Sequence, residues 1–119
     1  GIGYVLGSLC GVPHGYTSCV MLPAVLAWNN QAGHNAQSEP RDGQIATALG
    51  QPDASASSAV KALVASLDLP VSLPAVGVDE SQLDEIAERA ANHPVVRRNS
   101  RPITRAEQVS EILALAWNA

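Results

Sequence analysis

Phenylalanine is absent from this chain, and two Trp and two Tyr are its only aromatic residues in a length of 119. A core built on large rings is thereby excluded. Ala, Val and Leu must fill the interior, and side chains that small suit closely packed helices that lean on a further surface. Cysteine is scarce too: Cys10 and Cys19 stand without a CxxC pair or a Cys/His cluster. That argues against a zinc finger and predicts two buried free thiols in a cytoplasmic protein. Positive charge is limited to seven Lys and Arg against eleven Asp and Glu, a net −4. Proteins that track phosphates carry a basic excess, so nucleic acid is not an expected partner. Most of the cations, among them Arg97, Arg98 and Arg101, fall in the last third of the chain and read as a solvated surface or a contact with an acidic neighbour. Long apolar runs are also missing. The longest, Cys19 to Trp28, falls well short of the roughly 20 residues that cross a bilayer, so no membrane partner is expected. The chain opens with neither a signal peptide nor an initiator Met.

What is present is helical periodicity. With 46% hydrophobic residues a folded state is feasible against chain entropy. Ile2, Val5, Leu6 and Leu9 recur at helical spacing from the first residues, with no capping residue before them. A helix already running at position 1 suggests a chain cut inside it. Gly3 and Gly7 lie one turn apart and permit close approach by a backbone or a ligand. Gly11-Val12-Pro13 ends this segment. A second helix, capped by Thr17 or Ser18, is apolar on nearly all sides and so central, with Pro23 inside it tolerable only near the first turns or as a kink. Asn29-Asn30 and Gly33 mark its exit. Further helices are expected over Glu39 to Leu49, from Pro52-Asp53 with a stripe of Val60, Leu63, Val64 and Leu67, and from Asp79-Glu80-Ser81 with Leu83, Ile86 and Ala90 inward. Residues 69–78 form a Pro-rich connector. His93-Pro94 terminates the preceding helix, and residues 95–103 are irregular. Thr104 with Glu107 forms a capping box for the last helix, whose buried face is Val109, Ile112, Leu113, Ala116 and Trp117. The expectation is one all-α domain, residues 1–119, of about six helices.

Few residues carry chemistry. His14 follows Pro13 and precedes Gly15 at the mouth of the apolar helix, where an imidazole can point into a cleft. One imidazole is either a structural residue or a single ligand, and stable metal sites take three or four protein ligands. His34 and His93 fall in loops without ligand spacing to His14. No Ser-His-Asp grouping, HExxH or phosphate-cradling loop occurs, and Gly1-Ile2-Gly3 follows no strand. Asp79, Glu80, Asp84, Glu85 and Glu88 form an acidic helix start that suits the helix dipole.

The run from Gly1 through Pro13-His14-Gly15, followed by Met21-Leu22-Pro23-Ala24-Val25-Leu26-Ala27-Trp28-Asn29, resembles the metal-site segment of iron-containing (group III) alcohol dehydrogenases, in the branch with the maleylacetate reductases. The family pattern is His-Gly-x-x-His-x-Leu-Gly, then Pro-His-Gly, then Leu-Pro-x-x-x-x-x-Asn. Asn99-Ser100-Arg101-Pro102-Ile103-Thr104 resembles the Asn-Pro-Arg-Pro-x-Thr stretch before the family's last helix. The likeness covers essentially the whole chain in order, and it implies the C-terminal helical domain of a dehydroquinate synthase-like fold. It further implies a divalent metal, iron or zinc, held by one Asp and three His, with His14 matching the last ligand. The third ligand would precede Gly1. It implies NAD(P) bound by an N-terminal nucleotide-binding half that this chain lacks. Tyr4 stands where many members carry a second His that can relay a proton. A phenol is a far weaker acid than an imidazolium, so Tyr4 is either a catalytic hydroxyl or part of the cleft lining.

Three readings follow. The first is the C-terminal domain of an NAD(P)-dependent, metal-dependent oxidoreductase acting on a small alcohol, aldehyde or oxo-acid such as maleylacetate, inactive without its other half and expected as a homo-oligomer. The second is a stand-alone helical module that self-associates through the face left uncovered. The third, a ligand-binding bundle unrelated to the dehydrogenases, ranks last.

Overall fold

The structure is a computed structural model that describes residues 2–31 and 39–118; for Glu39 it describes the backbone alone. Gly1, Gly33 and His34 lie outside the described residues. Seven α-helices and two 3-10 turns account for the ordered elements, with no strand among the described residues. The all-α expectation holds.

Helix α1 (Ile2–Cys10) buries Ile2, Val5 and Leu6 of its predicted stripe and leaves Leu9 half-buried against the core. Gly11, at φ +70°, turns the chain into α2 (His14–Asn29). No side chain caps α2. Its first turn forms on Pro13, whose carbonyl accepts from the amides of Tyr16 (2.9 Å) and Thr17 (3.3 Å). The cap expected at Thr17 or Ser18 therefore lies four or five residues too late, since the N-cap is Pro13. Thr17 is instead buried, and its hydroxyl donates to the His14 carbonyl at 2.8 Å. Pro23 lies within α2. Its own carbonyl accepts from the Ser57 hydroxyl at 2.7 Å, which ties α2 to α4.

Helix α3 (Glu39–Ala48) ends at Gly50, which adopts φ +78°. Helix α4 (Ala56–Ser66) is capped by Ser55, which accepts from the Ser58 amide. Its predicted stripe is only half buried. Val60 and Val64 face the interior with Ala56 and Ala59, whereas Leu63 and Leu67 are 45% and 61% exposed. The connector holds a single 3-10 turn, Pro74–Val76, and anchors Leu73 in the core. A second turn, Glu80–Gln82, is capped by Asp79 and leads into α5 (Leu83–Ala91). His93 does more than end α5. Its Nδ1 accepts from the Val95 amide at 3.2 Å and starts a one-turn helix, α6 (Pro94–Arg97), within the stretch expected to be irregular. Helix α7 (Ala106–Trp117) begins one residue later than predicted. Gln108, not Glu107, reaches back, accepting from the amides of Thr104 (2.7 Å) and Arg105 (3.1 Å).

Helix α2 is the axis. It packs on α1, α4 and α7, while α5 covers α7 and α1, and α3 covers α4. One core joins Leu6, Val20, Trp28, Leu73, Ile86 and Ile112, with α7 closing it. Small side chains carry much of it: Ala24, Ala87, Ala90 and Ala116 are all buried, which lets the helices approach closely.

Arg101 departs from the solvated surface expected of it. Its guanidinium lies 3.5 Å from the centroid of the Trp28 ring, which is fully buried. One nitrogen donates to the Trp28 carbonyl (2.7 Å) and to Gln31 Oε1 (2.8 Å). Cation–π contact contributes roughly 0.5–2 kcal/mol, and hydrogen bonds from a charged donor about 1.5–3. We expect Arg101→Ala to lower unfolding free energy by about 2–3 kcal/mol in denaturant titrations. Exposed Arg97→Ala should stay within about 0.5 kcal/mol. Equal effects would show that the Trp28 contact adds no stability.

Candidate functional site

Three segments border one cleft of about 400 Å³. Helix α1 supplies Ile2, Gly3 and Tyr4. Helix α2 supplies His14, Thr17, Ser18, Met21, Leu22 and Val25. The stretch after α5 supplies Val95, Val96, Asn99 and Ile103. The structure thus brings the two residues singled out in the sequence, Tyr4 and His14, to the same cleft. Both are exposed, Tyr4 by 68%. His34 lies outside the described residues. His93 borders the cleft indirectly: its ring centroid is 5.7 Å from that of Tyr4, at a tilt of 49°.

Close approach of α1 and α2 shapes the His14 side of the cleft. A Cβ added at Gly3 would come within 3.0 Å of Thr17 Oγ1 and 3.2 Å of Thr17 Cβ. Gly3 therefore accommodates α2 and not a ligand, and its partner Thr17 holds the carbonyl of His14. The opposite wall is tied to the end of α2. The Asn99 amide nitrogen donates to Asn29 Oδ1 (2.5 Å) and to the Arg101 carbonyl (3.0 Å), and Asn29 donates back to Asn99 Oδ1 (3.3 Å). The indole Nε1 of Trp28, beneath Arg101, is buried with no hydrogen-bond partner among the described residues.

These ties explain the two motif fragments separated by 70 positions. The Asn that ends the Leu-Pro segment and the Asn that opens the Asn-Ser-Arg-Pro segment are partners, and the Arg sits on the Trp before the first of them. Motif matching marks these residues without a role. The recurrence of Asn at both ends was the available signal, but a hydrogen-bonded pair that far apart cannot be read from spacing.

The cysteines take no part in this cleft. Both are free thiols and only half buried, so the expectation of full burial does not hold. Burial, and then the negative charge of Glu85, push the Cys10 thiol up, which opposes the thiolate a nucleophile needs.

Residues 1–117 match the C-terminal part of the Fe-containing alcohol dehydrogenase family. The chain belongs to that family. Among curated relatives, it is 34% identical to the dehydrogenase ALT3 of Alternaria alternata, over 95% of this chain and 33% of that protein. It is 32% identical to maleylacetate reductase 1 of Rhodococcus opacus, over 96% of this chain and 29% of the relative. It is 30% identical to the dehydrogenase FUM7 of Gibberella moniliformis, over 98% of this chain and 30% of the relative. The chain spans about a third of the length of these relatives. No solved structure matches it at a significant level. This places the chain in an oxidoreductase family, as its helical domain.

The family implies a metal, and the donors present can be tested against it. Among the described residues no three His, Cys, Asp or Glu side chains come together as a metal site. His14 brings one imidazole to the cleft, whereas stable sites take three or four ligands. The described residues do not make that site by themselves.

The Gly3–Thr17 contact generates a prediction. In Gly3→Ala the new methyl must push the buried Thr17, which overpacking studies put at about 1–3 kcal/mol, against a gain of up to about 1 in helix propensity. We expect a lower unfolding midpoint and displaced His14 imidazole resonances. An unchanged His14 spectrum would show that this contact does not position the ring.

Proposed function

We infer that this chain is the helical part of an NAD(P)-dependent, metal-dependent oxidoreductase. The enzyme would interconvert a small alcohol and its aldehyde or ketone, or reduce an oxo-acid such as maleylacetate. The observation that carries this reading is His14 at the start of α2, bordering the same cleft as Ile2, Gly3 and Tyr4 at the chain's beginning. In the family pattern the neighbouring ligand falls just before that beginning. His14 would supply one of the metal's ligands, and Tyr4 would line the substrate side of the cleft with its hydroxyl. The remaining ligands would come from the part of the helical domain that precedes Gly1 in the family pattern, and the nicotinamide site from a nucleotide-binding half outside this chain. One imidazole without a cofactor surface cannot position hydride transfer, so the chain alone would be inactive.

The test is metal content and nicotinamide-linked turnover of the enzyme carrying both halves, with and without added iron or zinc. We expect a divalent metal to be bound and His14→Ala to weaken it at least about a hundredfold, because altering groups merely behind a ligand already costs 10–100-fold. Unaltered metal content in His14→Ala would remove His14 from the site.

The self-association reading has its own support in Leu63 on α4 and Leu67 just after it, exposed one turn apart, and in Tyr4 and Val95, exposed beside the cleft. Size exclusion of the 119-residue chain should then show a dimer or larger species whose share grows with concentration. A monomer throughout would end that reading.

A further inference from the structure

A single imidazole holds two parts of the cleft through different contacts. The Nδ1 of His93 accepts from the Val95 amide at 3.2 Å and starts α6. The same ring lies against Tyr4, with centroids 5.7 Å apart. Tyr4, Val95 and Val96 line the cleft, whereas His93 stands behind them. Helix α6 has four residues, so it has no further turns to hold it once its start is lost. Tyr4 is exposed, and its hydroxyl has no hydrogen-bond partner among the described residues. The contact with His93 is therefore what limits where that hydroxyl points.

Only one protonation state serves both contacts. A neutral imidazole with its hydrogen on Nε2 keeps a lone pair on Nδ1 for the Val95 amide. An imidazolium carries hydrogen on both nitrogens and accepts nothing. A protonated ring must turn from the amide, and in turning it leaves its place beside Tyr4. No carboxylate lies within ion-pair reach of the ring among the described residues. The charged side chains nearest in sequence on α5 are Glu88 and Arg89, and Arg89 is paired with Glu85 at 2.8 Å. After His93 come Arg97 and Arg98, the second donating from Nε to the Pro94 carbonyl at 3.3 Å. From α1 the titratable group against the ring is Tyr4 itself. That set gives an imidazolium no fixed partner in exchange for the lost cap.

We propose that His93 is a positioning residue: neutral, it holds Tyr4 and the Val95–Val96 wall in one arrangement, and protonation releases both together. This rests on the oxidoreductase reading only for the use to which the Tyr4 hydroxyl is put. The coupling is measurable without turnover.

The isotope-labelled 119-residue chain is followed by NMR from about pH 8 to about pH 5, the range in which imidazoles change charge. The His93 ring, the Val95 amide and the Tyr4 ring are expected to shift with a common midpoint. Protection of the Val95 amide against exchange should fall about fivefold in acid, as for loss of a cap. Two variants separate the contacts. His93→Asn keeps a capping oxygen and loses the ring, and His93→Phe keeps a ring and loses the acceptor. In His93→Asn the Val95 amide should stay protected across the range. In His93→Phe it should be unprotected throughout. Tyr4 should show no step in either. His14 is retained in both, so a Tyr4 step that survives His93→Asn arises elsewhere and overturns the proposal. Different midpoints for Val95 and Tyr4 in the unaltered chain overturn it too. In the enzyme carrying both halves, His93→Asn should lower kcat roughly tenfold at the alkaline end, with KM within about twofold. An unchanged kcat would remove the positioning role. Absence of turnover by the unaltered enzyme would instead refute the oxidoreductase reading and leave the coupling at His93 standing.

Discussion

The guanidinium of Arg101, laid on the buried face of Trp28 and hydrogen-bonded to the Trp28 carbonyl, connects the end of the central helix to the segment before the last one. Without it residues 99–103 would have few reasons to lie against α2. They contain one buried apolar residue, Ile103, and three exposed or partly exposed polar ones. With it, Asn99 is brought to Asn29 and Ile103 to the cleft. A planar, always-charged group is suited to this because it can stack and donate at once, which an ammonium cannot do.

From that tie the cleft follows. One wall is the start of α2 with α1 drawn close, because Gly3 has no side chain to keep Thr17 away. The other is the stretch from Val95 to Ile103, begun by the His93 cap on α6 and held at its far end by Arg101. The floor is the apolar side of α2. His14 reaches the cleft because Gly11 turns the chain out of α1 and Pro13 starts α2 without a side-chain cap. The residues that could do chemistry are thus few and at the rim, while the volume is lined by hydrocarbon.

Much of the fold was legible in the sequence. The stripes of α1, α5 and α7 bury most of the residues their spacing predicts, with Leu9, Leu83 and Trp117 half-buried at the margin, because each helix turns one face to a single continuous core. Where legibility failed, the cause was a competing local interaction. Thr17 looked like a cap but was needed as a buried contact for Gly3. Leu63 and Leu67 completed a periodic stripe, yet the core ends at Val60 and Val64, since α3 and α2 cover only part of α4. Gln108 displaced Glu107 in the last cap because the helix starts one residue later. Of the site, Tyr4 and His14 were legible through the family pattern. Their common cleft, and the His93 ring beside Tyr4, were not.

By itself the sequence determined the helical class, the central place of the apolar second helix and, through Pro13-His14-Gly15, membership of a dehydrogenase family. Those are properties of short windows: periodicity, turn residues and a compact motif. Only the tertiary structure decided that Asn29 and Asn99 are a pair, that Arg101 is a stacked structural cation and not a solvated charge, and that Tyr4 and His14 border one cleft. Each of those depends on which distant segments meet, and packing settles that where spacing along the chain is silent.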